Sequence, residues 1–232
     1  RQATDDHLSH SQFLARLLCD EVERRDSKQL DQRLRRASFE SLKTLEDFDW
    51  RFNPKLPKDK LLELGTCQFV ARKEVVLLCG PSGTGKSHLA QALGHRACRC
   101  GHTVLYTTAH HFFISLRAAR ADGTYDRQML RYTGVELLIL DDLGLRPLSS
   151  EEAMDLYELI RLRYERGAPL CTSNRAASEW GTLFGDALLA AAAMDRLLHH
   201  AHLVVMDGPS YRTQRTSKRK AGSSEDKQEV AS

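Results

Sequence analysis

The sequence contains no apolar run approaching the roughly 20 residues that a membrane-spanning helix needs, so no membrane partner is expected. It lacks a disulfide framework: its six cysteines are scattered through apolar or helical contexts, without the spacing of a secreted protein. The N-terminus, RQATDDHLSH, lacks the basic-then-apolar layout of a signal peptide. These absences together point to a cytoplasmic protein. An excess of one charge is also lacking. Thirty-four Lys and Arg stand against 31 Asp and Glu, and the net charge of +3 neither demands nor excludes a polyanionic partner. Position 1 is Arg rather than Met, which reads as a fragment or a processed product. No internal repeat is present. What remains, 41% hydrophobic and 28% charged residues over 232 positions, is the composition of a soluble globular protein with one large domain or one domain with appendages.

Residues 8–37 are rich in Leu, Arg, Glu and Gln and hold neither Gly nor Pro. Leu14, Leu17, Leu18 and Val22 fall at helical spacing, so residues 1–37 are read as an N-terminal segment built on an amphipathic helix. Its six basic residues between Arg24 and Arg36 fit either a solvated face or an arm for DNA or a partner. Residues 38–60, with Pro54 and Pro57, read as a linker wrapping onto the next domain. From about residue 61 short apolar runs alternate with longer amphipathic stretches. Strands are expected over 74–79, 103–107, 137–140, 170–173 and 203–206, with helices between them, one ending near Arg120 and another over about 150–166. Continuous apolar strands separated by helices indicate an α/β fold with a parallel sheet covered on both faces. The core is taken to end at 212. Residues 213–232 have little to bury and read as a disordered basic tail, either solubilising or a weak electrostatic hold on nucleic acid.

Directly after the first strand comes GPSGTGKS, residues 80–87, which fits G-x-x-x-x-G-K-[ST] between a buried strand and a helix N-terminus. A chance match in a chain of this length is on the order of 1%, given ordinary glycine usage. The glycines at 80, 83 and 85 let the backbone turn its N–H groups toward phosphate oxygens. Gly80, Pro81, Ser82, Gly83, Thr84, Gly85, Lys86, Ser87 and His88 are therefore the expected ATP-binding residues. Lys86 would reach the β- and γ-phosphates, and the Ser87 hydroxyl would ligate Mg²⁺.

The third strand runs into two adjacent acids, LLILDD. Unpartnered carboxylates at the edge of a core are costly, and a metal ion with its water would compensate them. Asp141 is the expected second Mg²⁺ ligand, and Asp142 the general base toward the attacking water. Aspartate is one methylene shorter than the glutamate common at the second position, which points to slow or partner-controlled hydrolysis. Asn174, ending the fourth strand in CTSN, could orient that water; TSN is equally a helix N-cap arrangement.

GPSGTGKSHLAQALG, LLILDDLG, TSNR, SEWGTLFGD and AMDRLLHHAHLV together resemble the IstB-like ATPases, AAA+ helpers of insertion-sequence transposition related to helicase loaders of the DnaC type. The resemblance covers about residues 38–212 and, more loosely, the N-terminal helix. It implies a P-loop NTPase of the AAA+ type, with five parallel strands in the order 5-1-4-3-2 and no C-terminal helical lid. It also implies ATP-dependent self-association on double-stranded DNA, and presentation of that DNA to the transposase of the same element. Arg196 matches the family's arginine finger, acting on the neighbouring subunit's ATP; the alternative is a surface salt bridge to Asp195 or another acid. Arg212 is the nearest position for a nucleotide-sensing arginine. The N-terminal part looks shortened relative to the family. Two other readings stay open: a helicase loader acting on single-stranded DNA, and a nucleotide-gated DNA scaffold with little hydrolysis.

Other residues invite a function and are read as structural. His95, Cys98, Cys100 and His102 spell HxxCxCxH, but on a helix positions 98 and 100 diverge by about 200° and do not converge on a metal. The pairs His110–His111 and His199–His200 point apart on a helix. Trp180 is read as a packing anchor before the Ala-rich helix rather than a DNA-stacking residue.

Overall fold

The computed structural model describes residues 9–211 and 213. Arg212 and, Thr213 apart, the expected basic tail lie outside the described residues. Helix α1 spans His10–Ala37 and opens on a capping box, in which Ser9 and Gln12 satisfy each other's backbone N–H groups. Short helices α2 (Lys58–Leu64) and α3 (Gln68–Ala71) lead into β1 (Val75–Cys79), and α4 (Lys86–Arg99) follows the phosphate loop. Then come β2 (Val104–Thr108), α5 (Ala109–Ala121), α6 (Tyr125–Thr133), β3 (Leu137–Leu143), α7 (Ser150–Arg163) and β4 (Ala168–Ser173). A 3₁₀ helix (Ala177–Leu183), α8 (Ala187–Leu198) and β5 (Ala201–Val205) complete the order.

All pairings are parallel, and the sheet order is β2-β3-β4-β1-β5, which is the expected 5-1-4-3-2. Alternation along the strands divides the core in two. Val76, Leu78, Leu137, Ile139 and Leu170 pack with Leu89 and Leu93 of α4. Leu77, Leu138, Leu140 and Cys171 face the other way, onto residues of α5, α7 and α8. Both faces are covered, which is why the stretches Val75–Cys79 and Leu137–Leu140 are apolar throughout.

The structure differs from the sequence reading at α6 and β3, and it shows how α1 and the 38–60 segment pack. Helix α6 was not expected; its polar stretch, TYDRQMLRYT, buries only Met129 and Tyr132. Strand β3 continues through both acids to Leu143. Helix α1 is where the periodicity placed it, yet Leu14, Leu17, Leu18 and Val22 are about half exposed. The part of α1 that packs is its C-terminal half, where Ala37, Leu30 and Leu34 join the core beneath α4. Finally, the 38–60 segment is folded onto the core, with Leu56 buried and Phe48 and Trp50 packed against it.

A second capping box starts α7, and its acid is tied more widely. Glu152 accepts from the Ser149 N–H at 3.0 Å and is gripped by both terminal nitrogens of Arg146, at 2.7 and 2.8 Å. Arg146 and the cap hold the Glu152 carboxyl down at about 2, against an ordinary 4.5. A depressed acid stabilises the fold above its unfolded value and loses that contribution as pH falls through the folded one. Wild type is therefore expected to exceed Glu152→Gln in stability by about 1–2 kcal/mol near neutral pH, a figure reduced for the exposure of Arg146. The difference in thermal midpoint should shrink between pH 4.5 and 2; a constant difference over that range would contradict the assignment.

Candidate functional site

The C-terminal ends of β1, β3 and β4 open onto one cavity of about 610 Å³. The strand-to-loop-to-helix passage that builds its floor depends on residues without side chains. Gly80 has φ 149°, and a Cβ there would lie 2.1 Å from the Met206 carbonyl oxygen. Gly85, at φ 97°, caps α4, and a Cβ there would come within 2.8 Å of the Phe48 ring. Ser82 through His88 line the cavity, while Gly80 and Pro81 lie beneath it as acceptors. Lys86, 5% exposed, donates its ammonium to the carbonyls of Gly80 at 2.8 Å and Pro81 at 2.7 Å. Thr84 donates its hydroxyl to Pro81, closing the loop on itself. The first turn of α4 directs its unbonded N–H groups, and the positive end of its dipole, toward the loop.

The two acids have different surroundings. Asp141 stands two residues beyond Ile139 and four beyond Leu137, so it shares their face of the sheet and points toward α4. It is 2% exposed, and its partners are hydroxyls: Ser87 at 3.1 Å and Thr172 on Oδ1, and Tyr106 at 2.7 Å on Oδ2. Burial and the adjacent Asp141 carboxylate push the Tyr106 phenol far above the ordinary tyrosine range, so it stays protonated and donates. The next residue of a regular strand would point to the opposite face. Asp142 does not follow that alternation, because its backbone is left-handed at φ 56° and the β3–β4 register shifts between Leu140 and Leu143. Its N–H is caught by the Thr172 hydroxyl oxygen at 2.9 Å, and the residue lines the cavity with the loop. Asn174, exposed at the end of β4, lines the same cavity and does not cap the following 3₁₀ helix, whose cap is Ala176.

The apolar wall of the cavity was missed in the sequence reading. Leu42, Phe48, Phe52 and Leu56 come from the 38–60 segment, and Tyr211 closes over them from beyond β5. The rings of Phe52 and Tyr211 are 4.8 Å apart and nearly perpendicular. The Tyr211 N–H donates to the Gly83 carbonyl, and buried Asn53 donates to Asp207, so this wall is fastened to the loop. The available signal was the cluster of aromatics in LEDFDWRFNP, dense for a solvent-facing linker. His88 lies between wall and loop, near the Thr44 carbonyl at 3.3 Å and edge-on to Phe48; burial lowers its pKa.

Arg196 is not brought to this cavity. It lies on α8 and donates to the Ala192 carbonyl at 2.8 Å, with its guanidinium 5.7 Å from the centre of the Tyr157 ring. These contacts are with Ala192 and Tyr157 and not with Asp195. Arg196 borders a different, mainly apolar cavity of about 260 Å³ under α7 and α8, where Trp180 is buried as the expected anchor. Among the described residues no helix is long and apolar enough to cross a membrane.

The sequence model of IstB-like ATP binding proteins matches residues 1–220. An ATP-binding protein of insertion sequence IS21 from Pseudomonas aeruginosa is 39% identical over 221 residues, 95% of this chain and 83% of that protein. An insertion-sequence ATP-binding protein from Mycobacterium tuberculosis is 42% identical over 212 residues, 91% of this chain and 84% of its own length. Among solved structures, the replication initiator DnaA bound to AMPPCP and single-stranded DNA is similar at TM-score 0.61 and 22% identity, over 74% of this chain and 52% of that one. DnaI is similar at TM-score 0.59 and 21% identity, over 72% and 89%. At such identities these structures show the fold alone, an AAA+ P-loop arrangement. The chain belongs to the family of IstB-like ATP-binding proteins.

Proposed function

We propose that the protein is the ATP-driven DNA-binding helper of an insertion sequence: it assembles with copies of itself on double-stranded DNA, hydrolyses ATP, and stimulates or targets the transposase of the same element. The observation that carries this is the meeting of the phosphate loop, Asp142 and Asn174 around one cavity, in a chain whose relatives are insertion-sequence ATP-binding proteins.

The aromatic wall of Phe48, Phe52 and Tyr211 fits a flat base, and the loop and the α4 N-terminus fit the phosphates. Lys86 exchanges two neutral carbonyl partners for phosphate oxygens, and hydrogen bonds between charged groups are roughly twice as strong. The donor set beside it suits a hard cation. Ser87 and Asp141 offer only oxygen, and the buried carboxylate is met by hydroxyls alone, so these two residues would hold Mg²⁺. When bound, the ion neutralises charge on the β- and γ-phosphate oxygens. Asp142 accepts the proton of a water that Asn174 orients; the water oxygen bonds to the γ-phosphorus as the bond to the β-bridging oxygen breaks, releasing ADP and phosphate. Arg196, outside its own cavity, stabilises the transferring group of a neighbouring subunit. The short reach of Asp142 makes turnover slow until an assembly or a partner closes the site.

Steady-state ATP hydrolysis at low salt, alone and with long double-stranded or single-stranded DNA, tests this reading. Strong stimulation by duplex only is the expected result. Stimulation by single strands only would replace it with a helicase loader. Bound ATP without turnover in any condition would replace it with a nucleotide-gated scaffold.

A further inference from the structure

The Thr172 hydroxyl is bonded to both acids. It has one proton to give and lone pairs to accept with. Because the Asp142 N–H can only donate, the Thr172 oxygen must accept there, and its single proton goes to Oδ1 of Asp141. Thr172 is 0% exposed and belongs to β4, the neighbour of β3 on one side. On the other side is β2, whose Tyr106, 4% exposed, donates to Oδ2 of Asp141 at 2.7 Å. The carboxylate is thus held from both flanking strands, one oxygen by each, while Ser87 of α4 approaches Oδ1 from above the loop. Through the same Thr172 oxygen, the left-handed backbone of Asp142 is tied to the position of Asp141.

We propose that Thr172 is a positioning residue that sets both acids together, and that Tyr106 is the second arm of the same clamp. The inference rests on the reading of Ser87 and Asp141 as the Mg²⁺-holding pair. With both prongs in place the Asp141 carboxylate has one fixed orientation toward Ser87, and Asp142 keeps its place on the cavity wall rather than returning to the strand alternation. Without the Thr172 hydroxyl, the partly buried Asp142 N–H and the buried Asp141 carboxylate each lose a partner, and both acids relax from their positions.

The test pairs Thr172→Val, close in shape but without the hydroxyl, with Thr172→Ser, which keeps it. A ribose-labelled fluorescent ATP analogue is titrated in EDTA and then at increasing Mg²⁺, and kcat and KM for ATP are measured separately. For Thr172→Val the metal-free affinity should stay within about two-fold, while the Mg²⁺ concentration giving half of the metal-dependent tightening rises by about ten-fold or more. Turnover should fall by about 10- to 100-fold in kcat with a smaller change in KM, and Thr172→Ser should recover most of both. Tyr106→Phe, which keeps the ring in place, should move the Mg²⁺ titration in the same direction by less. An unchanged Mg²⁺ titration in Thr172→Val overturns the inference. So does a Thr172→Ser protein as impaired as the valine variant, because keeping the hydroxyl would then not preserve the site. Should Thr172→Val fail to fold, an unchanged titration in Tyr106→Phe overturns the clamp. A wild type that binds Mg²⁺ with the analogue but never turns over contradicts the hydrolysis reading alone, and the titration still decides the clamp.

Discussion

Replacing Arg196 by Ala is expected to lower ATP turnover by about 10³-fold or more while changing ATP affinity by less than about two-fold. The size follows from the reaction. A phosphoryl group in transfer spreads charge over its equatorial oxygens, and a guanidinium placed against them acts in the transition state more than in the ground state. The indifference of ATP binding follows from the fold. Arg196 lines a cavity under α7 and α8, bonded to Ala192 and set against Tyr157, and is absent from the wall of the nucleotide cavity. In the function proposed above it serves another copy's nucleotide. Mixing Arg196→Ala with Asp142→Asn, each nearly inactive alone, should therefore restore activity. In a random mixture about a quarter of head-to-tail junctions join an intact Asp142 to an intact Arg196. No recovery on mixing, with both variants folded and assembled, would remove the shared site from the account.

The second large effect is at Lys86. Its ammonium is buried within the loop and held by two carbonyls, so it is already placed where the phosphates must lie. Two charge-assisted bonds of about 1.5–3 kcal/mol each correspond to a loss of about 10²- to 10⁴-fold in ATP affinity for Lys86→Ala. Turnover should be lost with it, and ATP-dependent assembly on DNA abolished. Equilibrium titration with the fluorescent analogue measures the first effect. A variant that binds the analogue as tightly as wild type would show that the loop does not hold the phosphates.

The sheet was legible because both its faces are covered: Val75–Cys79 and Leu137–Leu140 are apolar without interruption, and neither can be an edge of the core. The phosphate loop was legible because glycine at 80 and 85 and lysine at 86 answer a steric and an electrostatic demand that few other sequences meet. Asp141 could be placed by counting from Leu137 in steps of two. Asp142 could not have been, since a regular strand would send it to the far face, and the left-handed turn that brings it back depends on Thr172 in another strand. The same holds for Tyr106: thirty-five positions from Asp141, it meets the acid only through strand pairing. The wall of Phe48, Phe52 and Tyr211 is assembled from segments on either side of the core, so the aromatics of LEDFDWRFNP hint at one part of it and no local pattern brings Tyr211 to meet them. Helix α1 shows the converse limit. Its leucine spacing predicts a helix correctly but does not say that the face would be covered, and Leu14, Leu17 and Leu18 remain exposed.

ATP-dependent assembly on duplex DNA is measured most directly by sedimentation of the protein with a long DNA duplex. With ATP and Mg²⁺ the protein should sediment with the duplex as a large particle, and with ADP or without nucleotide it should not. Equal sedimentation in all three conditions, or an ATP-dependent particle on single-stranded DNA alone, would contradict it.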